Sequence, residues 1–168
     1  MTGFPVVRLS LTRTPWPPRS RSVETAEVGL TAKPDSNVLF GGFQPAALER
    51  VARWGDGFLA AAAPSWAGGL FETVRTFWQE YGRDGEPRIV AQVNVALGPH
   101  DVIDDARANM HSYYTFTGIA DRMVAGLLTT PTEIRDAIAS FADLGADEVM
   151  LYCYGLDSNH VDRLADLL

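Results

Sequence analysis

The chain has 168 residues, of which 46% are hydrophobic and 21% charged, and its net charge is −7 at pH 7. This length and composition are typical of one globular domain with a sizeable core. The acidic balance argues against nonspecific nucleic-acid binding, and no apolar run reaches the roughly 18 residues of a membrane span. The single cysteine, Cys153, excludes an internal disulfide. Because the start also lacks a secretory signal, we expect a cytoplasmic protein that binds neither nucleic acid nor membrane.

Residues 1–34 differ in composition from the rest of the chain. Four arginines and no acidic residue precede residue 24. An Arg-rich, acid-poor start is typical of organelle transit peptides, but the segment Pro15–Pro18 is incompatible with their amphipathic helix. We therefore expect residues 1–34 to form an irregular, extended leader, in which Phe4–Leu11 could make one strand. Residues 35–168 are expected to form the folded domain.

From Val38 onwards, short β-rich runs alternate with helical patterns. Apolar residues recur three and four positions apart in the predicted helices, whereas the strands are short and apolar or alternating. The predicted strands are Val38–Phe40, Phe58–Ala63, Arg88–Leu97 and Glu148–Cys153. The predicted helices are Pro45–Trp54, Ser65–Tyr81, Asp101–Tyr113, Ile119–Leu128, Pro131–Leu144 and Ser158–Leu167. The fifth helix has the sequence of a capping box, with Thr130 as N-cap and Glu133 at the third helical position.

This order of elements predicts an α/β fold. Strands that alternate with helices form a parallel sheet with helical crossovers. Four strands after residue 35 suit either a small open sheet or part of an eight-stranded barrel. A complete barrel needs about 250 residues, so this chain is too short for one.

The turn after the first of these strands is a candidate anion site. The strand ends in Gly41-Gly42, and a helix begins at Pro45. Such a turn presents backbone N–H groups and a helix N-terminus, which together favour a phosphate. The alternative is a tight strand-to-helix turn without a ligand.

Several other residues could have either a structural or a functional role. Asp56 stands between two glycines, and we expect it to bond its own turn rather than to act in catalysis. Cys153 lies in a predicted buried strand and is expected to be a core residue. Gln92 and Asn94 lie on the polar face of their strand and would face a site if the strand belongs to a barrel. None of the three histidines has metal-ligand spacing, so we predict no metal site and assign no catalytic residue.

Two segments resemble the luciferase-like flavin- or deazaflavin-dependent oxidoreductases. In that family a strand ending in Gly-Gly precedes a helix of the form A-A-L-x-R-x-A-R-x-G-D-G-(F/W), which here is Gly41–Phe58. A helix capped by Thr-Pro and a following G-A-D-x-V strand entry stand here as Thr130–Arg135 and Leu144–Leu151. The resemblance covers roughly residues 29–168. It implies a partial (β/α)8 TIM barrel, namely the C-terminal half with parallel strands and crossover helices.

The resemblance also implies a cofactor site. The phosphate of FMN would be held by the backbone of Gly41, Gly42 and Phe43. Deazaflavin-using relatives add a Thr and a Lys after the next strand, and the matching positions here are Ala61 and about Pro64. Because neither side chain offers a hydroxyl or a charge, FMN is expected in preference to a deazaflavin, with Ala61 beside it.

Two functions remain open at this point. The first is a flavin-dependent oxidoreductase or monooxygenase domain that acts on a small organic substrate. The second is a non-catalytic half-barrel that forms oligomers or binds a partner chain, because the first strands of the family's barrel have no counterpart here. A half-barrel would have two unpaired strand edges, so we expect a homo-oligomer.

Overall fold

The computed structural model describes residues 6–10, 38–154 and 159–167. Five strands are present in these ranges: β1 (Val6–Ser10), β2 (Leu39–Gly41), β3 (Gly57–Ala60), β4 (Arg88–Val95) and β5 (Glu148–Cys153). The helices in the same ranges are α1 (Pro45–Trp54), α2 (Pro64–Glu80), α3 (His100–Tyr114), α4 (Ala120–Ala125), α5 (Pro131–Asp143) and α6 (Asn159–Ala165). A 3₁₀ turn, Thr115–Thr117, separates α3 from α4.

The strands form one sheet in the order β1-β5-β4-β3-β2. Strands β2 to β5 are parallel, which confirms the predicted α/β fold with helical crossovers. Strand β1 lies within the predicted Phe4–Leu11 segment and pairs antiparallel with β5. The described sheet therefore has two edge strands, β1 and β2, and of these only β2 is parallel to its neighbour. The remainder of the predicted leader, residues 1–5 and 11–34, lies outside the described residues.

The main core fills the space between one face of the sheet and the helices α1, α2, α5 and α6. Alternate positions of each strand point into it, since successive strand residues face opposite sides. On β4 these core residues are Ile89, Ala91, Val93 and Val95. The rings of Phe58 on β3 and Phe71 on α2 meet edge to face, with their centroids 6.3 Å apart. Burial of the apolar side chains of these four helices against the sheet holds the two layers together.

A smaller apolar cluster attaches the α3–α4 segment to the carboxyl ends of the strands. Its buried members are Ala96, Ala106, Met110, Leu127 and Tyr154. Strand β4 is extended by a bridge between Val95 and Leu128, and Leu128 N donates to Asn94 O at 3.0 Å. The α3–α4 segment is thereby fixed next to the end of the central strand.

Two aspartates make the same pair of hydrogen bonds at the amino ends of neighbouring strands. Val38 N donates to Asp56 Oδ2 at 2.8 Å, and Asp56 N donates to Val38 O at 2.8 Å. Ile89 N donates to Asp147 Oδ2 and Asp147 N donates to Ile89 O, also at 2.8 Å each. Each aspartate thus ties the start of one strand to the start of the next. Asp56 has the structural role that was predicted, but its partner precedes β2 rather than lying in its own turn.

Several element ends differ from the predicted ones for local reasons. Strand β3 ends at Ala60 rather than Ala63, because Ala63 is already the N-cap of α2 and Pro64 its first residue. Helix α4 is limited to Ala120–Ala125 by Gly126 at its C-cap. The predicted capping box of α5 is present, with Thr130 and Glu133 bonded reciprocally. None of the helices in the described ranges combines the length and apolar character that crossing a membrane requires.

Candidate functional site

A pocket of about 400 Å³ opens at the carboxyl edge of the parallel strands. Its floor includes Gln92 and Asn94 on β4, and its sides come from the loop after β3 and from the α3–α4 segment. This volume lies within the range of about 300–1,000 Å³ that is usual for small-molecule sites. The carboxyl edge is also where barrel enzymes bind their ligands, because the βα loops converge there.

The Gly41-Gly42 turn lies directly beside this pocket. Gly42 has φ +138°, and a Cβ atom at this position would lie 2.6 Å from Ala47 Cβ. At Gly41, a Cβ atom would lie 3.2 Å from the carbonyl oxygen of Leu59. Only glycine fits Gly42 without strain, so the turn keeps its backbone close to α1 and exposed to a ligand. The next residue, Phe43, lines the pocket.

The two helices that begin beside the pocket have no side-chain cap. Gln44 is the N-cap of α1 and Ala63 that of α2, and neither makes a side-chain capping bond. No acidic residue occupies the first turn of either helix. The α5 helix, by contrast, has a complete capping box. Uncapped N-termini retain N–H groups and a partial positive charge that favour an anion.

Aromatic and small apolar side chains form most of the pocket wall. The rings of Phe43 and Trp66 contact each other, with centroids 5.1 Å apart, and both rings are partly exposed. Ala61 and Pro64 line the same side of the pocket, and Tyr114 lines the α3 side. This lining suits a flat, largely apolar ligand group, which aromatic side chains contact favourably.

The polar groups of the pocket are few. Asn94 Oδ1 is buried without a hydrogen-bond partner in the described part of the chain. Arg122 on α4 is the cationic residue of the pocket lining, which contains no Asp or Glu among the described residues. Among the described lining residues, Arg122 therefore supplies a positive charge in a chain whose net charge is −7. The local field therefore favours an anionic ligand.

The predicted cofactor residues come together at this place. Phe43 and Ala61 line the pocket, and Gly41 and Gly42 form the adjoining turn. Gln92 and Asn94 also face the pocket. Their predicted cofactor role stays a prediction, since their position alone does not test it.

Trp66 and Arg122 also line the pocket but were not singled out from the sequence. Trp66 lies in the first turn of α2 and is 40% exposed. Its position just after a βα loop is the signal that could have identified it, because these loops form barrel sites. Arg122 lies in a six-residue helix whose placement depends on tertiary packing.

Cys153 and the histidines lie apart from the pocket lining. Burial raises the pKa of the Cys153 thiol to about 11, so the thiol stays protonated at neutral pH and is a poor nucleophile. His160 is fully buried and its Nε2 accepts from Leu97 N. His111 is exposed, 3.5 Å from Asp121 Oδ1. Cys153 is therefore a core residue, as predicted.

Residues 6–127 match the sequence profile of the luciferase-like monooxygenases. The chain belongs to the luciferase-like monooxygenase family. The matched range begins at β1, earlier than the expected start of the resemblance, and includes the Gly-Gly turn and the whole of β2 to β4. No curated protein sequence matches this luciferase-like chain significantly.

Solved structures share the fold of this luciferase-like domain. An F420-dependent secondary alcohol dehydrogenase, in complex with an F420–acetone adduct, matches with a TM-score of 0.63 at 18% identity, over 81% of this chain and 49% of that one. The long-chain alkane monooxygenase LadA matches with a TM-score of 0.55 at 17% identity, over 77% of this chain and 39% of that one. Apo-MsnO8 matches with a TM-score of 0.54 at 19% identity, over 77% and 48%.

The luciferase-like chain spans half or less of the length of these three structures. Its sheet therefore corresponds to part of a TIM barrel, as predicted from the sequence. At such low identity the likeness concerns the fold alone.

Proposed function

We propose that the chain is an FMN-binding oxidoreductase or monooxygenase domain of the luciferase-like type. The observation that supports this most strongly is that the Gly-Gly turn and the apolar pocket share Phe43 as a common wall. An anion-binding turn next to a flat apolar pocket matches the two chemically different ends of FMN, its phosphate and its ring system.

The residues of the turn and the pocket fit FMN in three respects. The turn at Gly42 packs closely on α1, because glycine carries no Cβ atom, which would lie 2.6 Å from Ala47 Cβ. The N-terminus of α1 has no side-chain cap. Pro45 lacks an N–H group and Ala47 N donates to Gln44 O at 2.8 Å, so the N–H group of Ala46 and the helix dipole would bind the phosphate. Arg122 adds the positive charge of the lining.

FMN is preferred to a deazaflavin for a local reason. Ala61 and Pro64 line the pocket at the positions where deazaflavin-using relatives have a Thr and a Lys, and neither can contact a longer anionic tail through a hydroxyl or a charge. The F420-dependent dehydrogenase that shares the fold keeps the deazaflavin as the alternative ligand.

The flavin would supply the redox chemistry, by transferring a hydride or activating oxygen for a small organic substrate. The contribution of this chain is to bind and orient the ring and to exclude water from one side of it through Phe43, Trp66 and Met123. We assign no catalytic acid or base. We also place the domain in the cytoplasm, where its single cysteine would remain reduced.

Titration of the purified protein with FMN tests this function. We expect a micromolar Kd in fluorescence quenching and a shifted flavin absorbance band. Gly42→Ala should weaken FMN binding by at least about tenfold, because the new Cβ atom would collide with Ala47 Cβ and displace the turn. Riboflavin, which lacks the phosphate, should lose less affinity than FMN through the same substitution.

Gly69→Ala is the matched control, since Gly69 lies exposed on α2 with nothing within 4 Å of a new Cβ atom. It should leave binding unchanged. Thermal unfolding of both variants separates loss of the site from loss of the fold. If neither FMN nor F420 binds to the folded wild-type protein, the cofactor function is contradicted.

The second candidate function, an oligomerising or partner-binding half-barrel, is favoured by the surface near β2. Strand β2 is one of the two edge strands of the described sheet. Trp54 is 59% and Tyr81 44% exposed, and Arg53 stacks over both rings, at 4.5 and 5.9 Å from their centroids. Sheet edges and exposed aromatic groups are usual in association surfaces. We propose a homo-oligomer, which light scattering should detect at micromolar concentration, and a monomer that binds no hydrophobic dye would contradict it.

A further inference from the structure

The pocket contains one polar atom whose bonding is incomplete. Asn94 Oδ1 is buried and accepts no hydrogen bond in the described part of the chain. Buried polar groups in native proteins are nearly always paired, and an unpaired one costs about 1–3 kcal/mol. Because Asn94 also lines the pocket, a bound ligand is the natural partner of this atom.

The position of Asn94 is rigid. It lies on the central strand β4, paired in register with Tyr152 of β5, and its carbonyl oxygen accepts from Leu128 N at 3.0 Å. Its neighbours Val93 and Val95 point into the main core on the other face of the sheet. Because the backbone that carries the carboxamide is held in this way, only side-chain freedom is lost when a ligand arrives.

We propose that Asn94 recognises the imide edge of the flavin ring, the N3–H group between two carbonyl groups. This proposal rests on the proposed function. Asn94 Oδ1 accepts from N3–H, and its amide nitrogen donates to an adjacent ring carbonyl. An imide carries a donor flanked by two acceptors, so it satisfies the carboxamide in either of its two orientations.

The surroundings favour this ligand edge over a charged group. Gln92 lies two residues earlier on the same strand face and adds a second neutral carboxamide to the floor. Arg122 belongs to exposed α4, whereas Asn94 Oδ1 is wholly buried. A neutral, hydrogen-bonding edge therefore faces the floor, and the anionic part of the ligand remains near the Gly-Gly turn and Arg122.

The test combines a protein substitution with a matching change in the ligand. Binding of FMN and of 3-methyl-FMN, in which a methyl group replaces the N3 hydrogen, is measured by calorimetry for the wild type and for Asn94→Leu. We expect the wild type to bind FMN about tenfold more tightly than the methylated ligand, the contribution of about one hydrogen bond. Asn94→Leu should bind both ligands equally, because only the pair Asn94 and N3–H creates the preference.

Two further variants keep the result interpretable. Asn94→Ala removes the carboxamide without adding bulk and should also lose the preference. Asn109→Leu makes the same change of side chain on α3, outside the pocket lining, and should retain it. The absorbance shift of bound FMN should differ between the wild type and both Asn94 variants, since a hydrogen bond at the imide perturbs the ring.

The possible failures are distinct. If the wild type binds both ligands equally, or if Asn94→Leu and Asn94→Ala keep the tenfold preference, recognition by Asn94 is wrong while FMN binding stands. If no flavin or deazaflavin binds to the folded wild type, both the proposed function and this inference are wrong.

Discussion

The two edges of the sheet differ in how their polar groups are used. At the amino edge, charged side chains make bonds within the protein: Asp56 and Asp147 accept from backbone N–H groups, and Arg88 contacts Glu148 at 2.5 Å. At the carboxyl edge, the pocket is lined by neutral carboxamides, small residues and Arg122, and Asn94 Oδ1 has no partner in the described chain. The stabilising contacts and the pocket therefore lie at opposite ends of the strands, as in complete barrels.

The two sequence motifs that resemble the luciferase-like family lie only partly at the pocket. The Gly-Asp-Gly part of the first and the Gly-Ala-Asp part of the second both lie at the amino edge, where Asp56 and Asp147 make matching pairs of bonds. Only the Gly-Gly part of the first motif adjoins the pocket. Most of the two motifs thus stabilises the sheet. Substitutions at the amino edge should lower the free energy of unfolding, whereas Asn94→Leu at the carboxyl edge should raise it.

The largest expected effect is at Gly57, at the amino edge. A Cβ atom at Gly57 would lie 2.1 Å from Arg88 O, so Gly57→Val must push β3 and β4 apart. We expect a loss of at least about 3 kcal/mol in the free energy of unfolding, or roughly 6–12 °C in Tm. Thermal unfolding by circular dichroism measures it. Gly69→Ala, in the exposed part of α2, should instead stabilise slightly. An unchanged Tm for Gly57→Val would refute the close approach of β3 to β4.

A smaller effect is expected at Asp147. Asp147→Ala removes the acceptor for Ile89 N, and the loss of a charge-assisted bond should cost about 2 kcal/mol. Urea unfolding gives this value, with Asp143→Ala as control, since Asp143 is exposed at the end of the preceding helix, α5, and should change stability by less than about 0.5 kcal/mol. FMN affinity should remain the same in both variants. A large loss of affinity in Asp147→Ala would break the separation between the edges.

The sequence predicts the elements of this fold well and its long-range contacts poorly. Helix α5 and strand β5 are recovered almost to the residue because a capping box and an apolar run mark their ends locally. The antiparallel pairing of β1 with β5 depends on residues far apart in the chain, and only the possibility of a strand there was predictable. The partner of Asp56 was missed for the same reason. At the site, Gly42 and Ala61 carry a local signature, whereas Arg122 reaches the pocket only through packing of α3 and α4.

At the carboxyl edge, one substitution should raise stability. Asn94→Leu replaces a half-buried carboxamide, whose Oδ1 is buried without a partner in the described chain, by an apolar group of similar size, so we expect a gain of about 1 kcal/mol in the free energy of unfolding. Urea unfolding without ligand measures it, with Asn109→Leu as the control. A loss of stability would mean that Asn94 supports the sheet, and the contrast between the edges would then fail at this position.

The smallest expected effect concerns the capping box of α5, the one helix beside the pocket whose N-terminus is closed by side chains of its own. The backbone N–H of Thr129 and the hydroxyl and N–H of Thr130 bond the Glu133 carboxylate and lower its pKa. A lowered pKa in the folded state means that the carboxylate stabilises the fold above its unfolded pKa of about 4.3, and that this contribution disappears as the pH falls through the folded value. Glu133 is exposed, so solvent limits the effect to a few tenths of a kcal/mol. We expect Glu133→Gln to be slightly less stable than the wild type at pH 7 and the difference to be smaller at pH 3, as measured by urea unfolding at both values. A difference that grows towards low pH would have the wrong sign for this mechanism, and it would indicate that α5 is held by other contacts.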